Sequence, residues 1–154
     1  MVTDRTAFPT TQYPILISGN NVQSFKTGAA ITAGQVVSIV GADGVTMTVI
    51  PCVAEAGCCP VGVAIENAAT SSVVPVAMIG CIARVSNAYS DTDIDCGHLV
   101  TMDDCAIGGT VVEVAGGTTT EEVVGVLVED STAASLGLEA ILVLCGTTLE
   151  THGA

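Results

Sequence analysis

The sequence predicts an all-β protein: a small β-barrel or sandwich body, duplicated as two repeats of about 63 residues, with an extended N-terminal arm. Three observations predict it. Val, Ile and Thr dominate, in short runs cut by Gly, Asp-Gly, Asn and Pro, which is the pattern of strands and turns. No stretch holds a 3.6-residue apolar period for three turns, and Ser131 to Ser135 has room for one helical turn at most. Finally, two blocks of sequence recur at one spacing. A chain of 154 residues fits one domain, or two small ones sharing a core.

Residues 1–30 read as the arm. Phe8, Tyr13 and Phe25 lie there, leaving Tyr89 as the other aromatic, and so do Arg5 and Lys26, leaving Arg84 as the other base. The segment carries +1 and residues 31–154 carry −14, which together make the net charge of −13. It is rich in Thr, Asn, Gly and Pro, apart from the β-prone run Tyr13-Pro14-Ile15-Leu16-Ile17. Aromatic and Arg side chains are enriched at interface hot spots, so Arg5, Phe8, Tyr13, Ile15, Leu16, Ile17 and Phe25 are the expected binding residues. The alternatives for this segment are a disordered tail or a strand completing the chain's own sheet.

About ten strands follow. Asp43-Gly44, between the run ending at Val40 and the one starting at Val45, signals a short hairpin. Val45-Thr46-Met47-Thr48-Val49 alternates apolar and polar, the pattern of a half-buried strand. Gly62 to Glu66, Val73 to Ile79, Val123 to Val128 and Ala140 to Leu144 are denser in apolar residues and read as strands covered on both faces.

The repeat organises these strands into residues 31–93 and 94–154, the second with a short tail. Ile31-Thr32-Ala33-Gly34-Gln35-Val36-Val37 matches Ile94-Asp95-Cys96-Gly97-His98-Leu99-Val100, and Val61-Gly62-Val63-Ala64-Ile65-Glu66 matches Val124-Gly125-Val126-Leu127-Val128-Glu129, both at an offset of 63. The closing strands agree with one residue inserted, Val76-Ala77-Met78 falling on Ala140-Ile141-Leu142. Gly62 and Gly125 sit inside strands, where glycine marks a bulge or a close backbone approach. They suggest that the halves meet there about a pseudo-twofold axis. The simpler reading is two sheet units sharing a core, with no chemistry at the matched positions.

Composition excludes several functions. Hydrophobic residues make up 49% of the chain and charged residues 12%, with 16 acids against 3 bases. Nucleic-acid binding needs Lys and Arg for phosphates, and docking on an anionic membrane needs the same residues. Neither partner is expected. Mean hydropathy is +0.67, yet no apolar run approaches the ~18 residues of a transmembrane helix. Met1-Val2-Thr3-Asp4-Arg5 leads into no apolar stretch, so no secretory signal is expected. A biotinyl-type carrier would need a lysine at a hairpin tip, and Lys26 is the one lysine.

Reactive chemistry is sparse. The seven cysteines, Cys52, Cys58, Cys59, Cys81, Cys96, Cys105 and Cys145, form no C-x-x-C, and the histidines are His98 and His152. Most of the cysteines read as small buried hydrophobes. Asp91-Thr92-Asp93-Ile94-Asp95-Cys96-Gly97 resembles a calcium loop, but glycine stands at position seven and Met102 at twelve, where an EF-hand needs glycine at six and glutamate at twelve. A looser cation site with Asp103 and Asp104 is the alternative to a solvated connector. Cys96 and His98 are spaced poorly for a nucleophile and its base, and nothing marks an oxyanion hole. The expectation is no enzyme, no cofactor and no resident metal.

The repeated Ala-Gly-Gln-Val-Val at residues 33–37, Pro60-Val61-Gly62-Val63-Ala64 and Val74-Pro75-Val76-Ala77 with a glycine soon after resemble the small β-rich capsid decoration, or cement, proteins of tailed bacteriophages. The resemblance covers about residues 29–145. It implies a homotrimer, made in the host cytoplasm, that sits on the outer surface of an icosahedral head. There it would bridge major capsid proteins, its chief partner, and stiffen the shell. The seven arm residues named above would then be capsid-binding. The alternative is another self-assembling structural protein, a tail, fibre or surface-layer component.

Overall fold

The computed structural model describes residues 14–43, 46–53, 59–87, 96–102, 108–113, 122–129 and 137–148, and their regular structure is all strand. In chain order the strands are β1 (Leu16–Ser18), β2 (Val22–Thr27), β3 (Val36–Asp43), β4 (Thr46–Pro51), β5 (Pro60–Ala64), β6 (Val73–Ala77), β7 (Ile82–Asn87), β8 (Leu99–Met102), β9 (Val111–Glu113), β10 (Glu122–Leu127) and β11 (Gly137–Thr148). The hairpin expected at Asp43-Gly44 is the β3–β4 pair, whose last rung is Asp43↔Thr46. Residues 131–135 lie outside the described residues.

Strands β2-β4-β3-β5-β6 close into a barrel, with β2–β4 parallel and the other pairs antiparallel. The second sheet runs β1-β7-β11-β10-β8-β9, and a parallel rung Asn87↔Val111 joins β9 back to β7. Its last five strands therefore repeat the barrel's connectivity, β7 standing for β2, β9 for β4, β8 for β3, β10 for β5 and β11 for β6. The registers superpose rung by rung. Val36↔Val63 corresponds to Leu99↔Val126, and Val37↔Gly62 to Val100↔Gly125. Thr27↔Val49 corresponds to Asn87↔Val111. Even the bulge recurs, with Val61 and Val124 as the extra residues.

The duplication is thus structural, but its phase differs from the sequence reading. The units run from β2 to β6 and from β7 to β11, so β7, inside residues 31–93, belongs to the second unit. The closing strands also align one residue further along: Ala77 and Leu142 hold equivalent rungs opposite Val63 and Val126. The arm is corrected from Pro14 onward. Residues 16–18 pair with β7, and residues 22–27 are a stave of the first barrel. Of the three readings open for this segment, its described part takes the strand that completes the chain's own sheets.

The interiors correspond too. Phe25, Val37, Val49, Ala64 and Val76 pack inside the first barrel, where the second has Val85, Val100, Val111, Leu127 and Ile141. The pair Phe25 and Ala64 becomes Val85 and Leu127 at equivalent positions, large and small exchanged so that the filled volume is nearly kept. The larger core cluster continues from the second unit into the first through Val36, Cys52, Val63 and Ala77. Strand β5 lies against β7, β10 and β11, so the halves share one core. Backbone bonds stitch the seam: Val36 N–H to Gly109 O at 2.8 Å, Gly109 N–H to Cys52 O at 2.6 Å, and Ser86 N–H to Gly34 O at 2.8 Å. The Gln35 amide adds a bond to Gly108 O at 2.7 Å.

Gly62 and Gly125 serve a close approach within each unit. A Cβ on either would stand 2.3 Å from a backbone carbonyl oxygen, that of Ala77 or of Leu142. The bulge beside each glycine lets the neighbouring strand close in.

Candidate interaction surface

Alternation along β1 and β2 decides which of the expected binding residues are presented. Ile15 is 2% exposed and packs in the shared core, while its carbonyl accepts the Arg84 N–H at 2.8 Å. Leu16 is half-buried against the same core. Phe25, 6% exposed, fills the first barrel. Ile15 and Phe25 are therefore spent on folding, and of the described four, Ile17 is the one that stands exposed. Arg5, Phe8 and Tyr13 lie outside the described residues.

Apolar side chains outside the expected binding set stand exposed instead, and Val73, Ile79 and Val128 correct the expectation that 73–79 and 123–128 are covered on both faces. Ile39, Val40 and Met47 are on the β3–β4 hairpin, Val73 opens β6, Ile79 lies in the turn between the units, and Val128 follows β10. Val40 is the extra residue of a bulge between the rungs Ile39↔Val49 and Gly41↔Thr48. One outward-facing row runs across the first barrel, Val73↔Lys26↔Thr48↔Gly41. A partial signal existed for these residues. Val73-Val74 is an adjacent apolar pair in a strand, where one of two neighbours must face outward, whereas the bulge at Val40 leaves both Ile39 and Val40 exposed.

The two described bases differ in use. The Arg84 guanidinium donates to Pro14 O at 3.0 Å, holding the entry to β1 on the second unit. Lys26 is exposed on the outward-facing row, beside Val73. On the acidic side, a Glu129 carboxylate oxygen accepts the Ala140 N–H at 3.1 Å, tying the turn after β10 to β11.

That fold, a closed barrel joined to a second sheet, is similar to a solved one. The chain is similar to the head fiber gp8.5 N base of bacteriophage phi29, known from a crystal structure. The match has a TM-score of 0.54 at 17% identity and covers 80% of this chain and 92% of that one, so what the two share is the fold. No family model matches the sequence, and no curated protein matches it.

Cys96 and His98 are exposed beside the turn into β8, and the His98 carbonyl accepts the Leu127 N–H. Cys52 and Cys81 are buried, Cys145 is half-buried and Cys59 exposed, so burial holds for part of the cysteine set. Among the described residues no three His, Cys, Asp or Glu side chains gather as metal ligands. Asp91, Asp93, Asp95, Asp103 and Asp104 lie outside the described residues.

Proposed function

We propose that the chain is a phage capsid decoration protein that binds the outer surface of the head and reinforces it by bridging major capsid proteins. The observation that carries the reading is the all-β fold shared with a phage head fiber base over four-fifths of the chain. The short apolar and glycine motifs of the decoration proteins point the same way. So do the exposed aliphatics of the first unit, which suit a protein that covers itself by assembly. The reading has the chain act as a homotrimer with no catalytic role. A second reading, the mounting for a head fibre, is favoured by the likeness to the base of a phage head fiber.

The test is to incubate purified protein with empty shells and with heads stripped of accessory proteins, then measure bound copies per shell protein. Saturable binding in fixed ratio to the shell protein, with a raised shell melting temperature, is expected. Absence of binding to shells, or location on tails alone, overturns the reading. Projections extending from each bound copy would support the fibre mounting.

A further inference from the structure

The two units differ in one place where their duplication predicts sameness. On β7, the edge facing away from β11 is covered by β1, with Arg84 N–H bonded to Ile15 O. Ser24 holds the equivalent position on β2, since Ser24↔Pro75 corresponds to Arg84↔Ala140. The bonds Met78 N–H to Asn21 O and Thr27 N–H to Ser72 O turn the odd residues of β2 toward β6, so Val22, Ser24 and Lys26 face the other side. There the β2–β4 ladder begins only at Lys26↔Thr48, and Val22 N–H folds back on Asn20 O. Among the described residues no group meets the Ser24 backbone. The notch is bordered by Met47, 49% exposed, and by Lys26. An open edge of this kind is a template for an added strand.

We infer that this edge receives residues 1–13 of a neighbouring copy as an added strand, in the manner in which β7 receives β1. The inference rests on the self-association proposed above. Thirteen extended residues span roughly 45 Å. A 154-residue body has a radius of gyration of roughly 15 Å, so the segment has the length to leave its own body at Pro14 and reach the next. It is rich in Thr and holds Val2, Phe8 and Tyr13, side chains suited to an extended, half-buried strand. With Asp4 and Arg5 it is net neutral, so it approaches a molecule of charge −13 without added repulsion, and Asp4 offers Lys26 a partner. A neighbouring copy is favoured over the same chain because Met47, Ile39 and Val73 of the same barrel stand exposed within one chain, and a second body brings the area to bury them.

Two variants of the full chain test this. Ser24→Pro removes the outward N–H but no bond to β6, and proline is tolerated on an edge strand. Deletion of residues 1–12 removes the strand while keeping all described structure. Each is expected to melt within a few degrees of the wild type and to self-associate at least about tenfold more weakly in sedimentation. Hydrogen exchange gives a readout that does not depend on Ser24→Pro folding. The Ser24 amide should exchange slowly in the wild-type assembly, fast in the truncated protein, and slowly again when a synthetic peptide of residues 1–13 is added. Wild-type association by the truncated protein overturns the inference. A monomeric wild type, or a Ser24 amide protected in the monomer, overturns it too. If Ser24→Pro assembles normally but loses shell binding, the edge belongs to the shell protein. That result overturns the inference and leaves the decoration reading standing.

Discussion

Gly62 and Gly125 are identical demands made twice, and each is a demand for space. With a Cβ 2.3 Å from a backbone carbonyl oxygen, no side-chain rotation relieves the clash, and strand β6 or β11 has to move. Gly62→Ala and Gly125→Ala are each expected to cost ~1–3 kcal/mol by overpacking. Gly41→Ala, with nothing within 4 Å of its Cβ, should stay within about 1 kcal/mol of the wild type. Urea unfolding of the three variants checks this, and equal stability would show that the strands are not held this tightly. The interiors make a second residue-scale test, because each barrel displays a packing that the other can borrow. Phe25→Val alone should cost roughly 2 kcal/mol through the cavity it leaves. Adding Ala64→Leu copies the Val85–Leu127 pair and should recover about half of that loss. Additive losses in the double variant would mean that the two positions do not share one space.

At the scale of elements, β1 and β2 overturn the reading of residues 14–30 as an arm. Ile15→Ala should cost ~2–5 kcal/mol as a core truncation, whereas Ile17→Ala, two residues on and exposed, should stay within about 0.5 kcal/mol. Removing residues 1–12 should leave the thermal unfolding transition in place, while removing residues 1–26 takes a stave from the first barrel and should abolish it. Circular dichroism melts decide both, and a cooperative melt in the longer truncation would restore the arm. Strand existence was legible because Val, Ile and Thr runs between turn residues are local signals. The repeat was legible wherever the same backbone task recurs, as at Gly34 and Gly97, whose φ angles are 90° and 91° and whose N–H groups bond Ala64 O and Leu127 O. The phase of the repeat was not legible. Phe25 and Val85 do the same work with different side chains, and the pairing of β2 with β6 and of β7 with β11 spans about fifty residues of chain. The open edge at Ser24 depends on strand order, which no local pattern encodes, and the exposure of Ile39 and Met47 depends on where the hairpin outruns the barrel.

For the whole molecule, charge and apolar surface would oppose each other in the proposed assembly. Each copy carries −13, from 16 acids against 3 bases, and a trimer would carry about −39. Arg84 is turned onto the chain's own Pro14 carbonyl, so few bases remain for ion pairs between copies. Attraction must then come from burying aliphatics such as Val73, Met47 and Ile79, and sodium chloride does not weaken that term. Repulsion between like-charged copies reaches ~30 Å at 0.01 M salt but only ~10 Å at 0.1 M. A single Asp4–Lys26 pair at an exposed edge is worth at most about 1 kcal/mol, too little to reverse the sign set by the net charge. Self-association should therefore strengthen as sodium chloride rises from about 0.01 M to 0.15 M, measured by sedimentation equilibrium at neutral pH. Dissociation on adding salt would show that ion pairs hold the copies together, and the exposed aliphatics would lose their role in assembly.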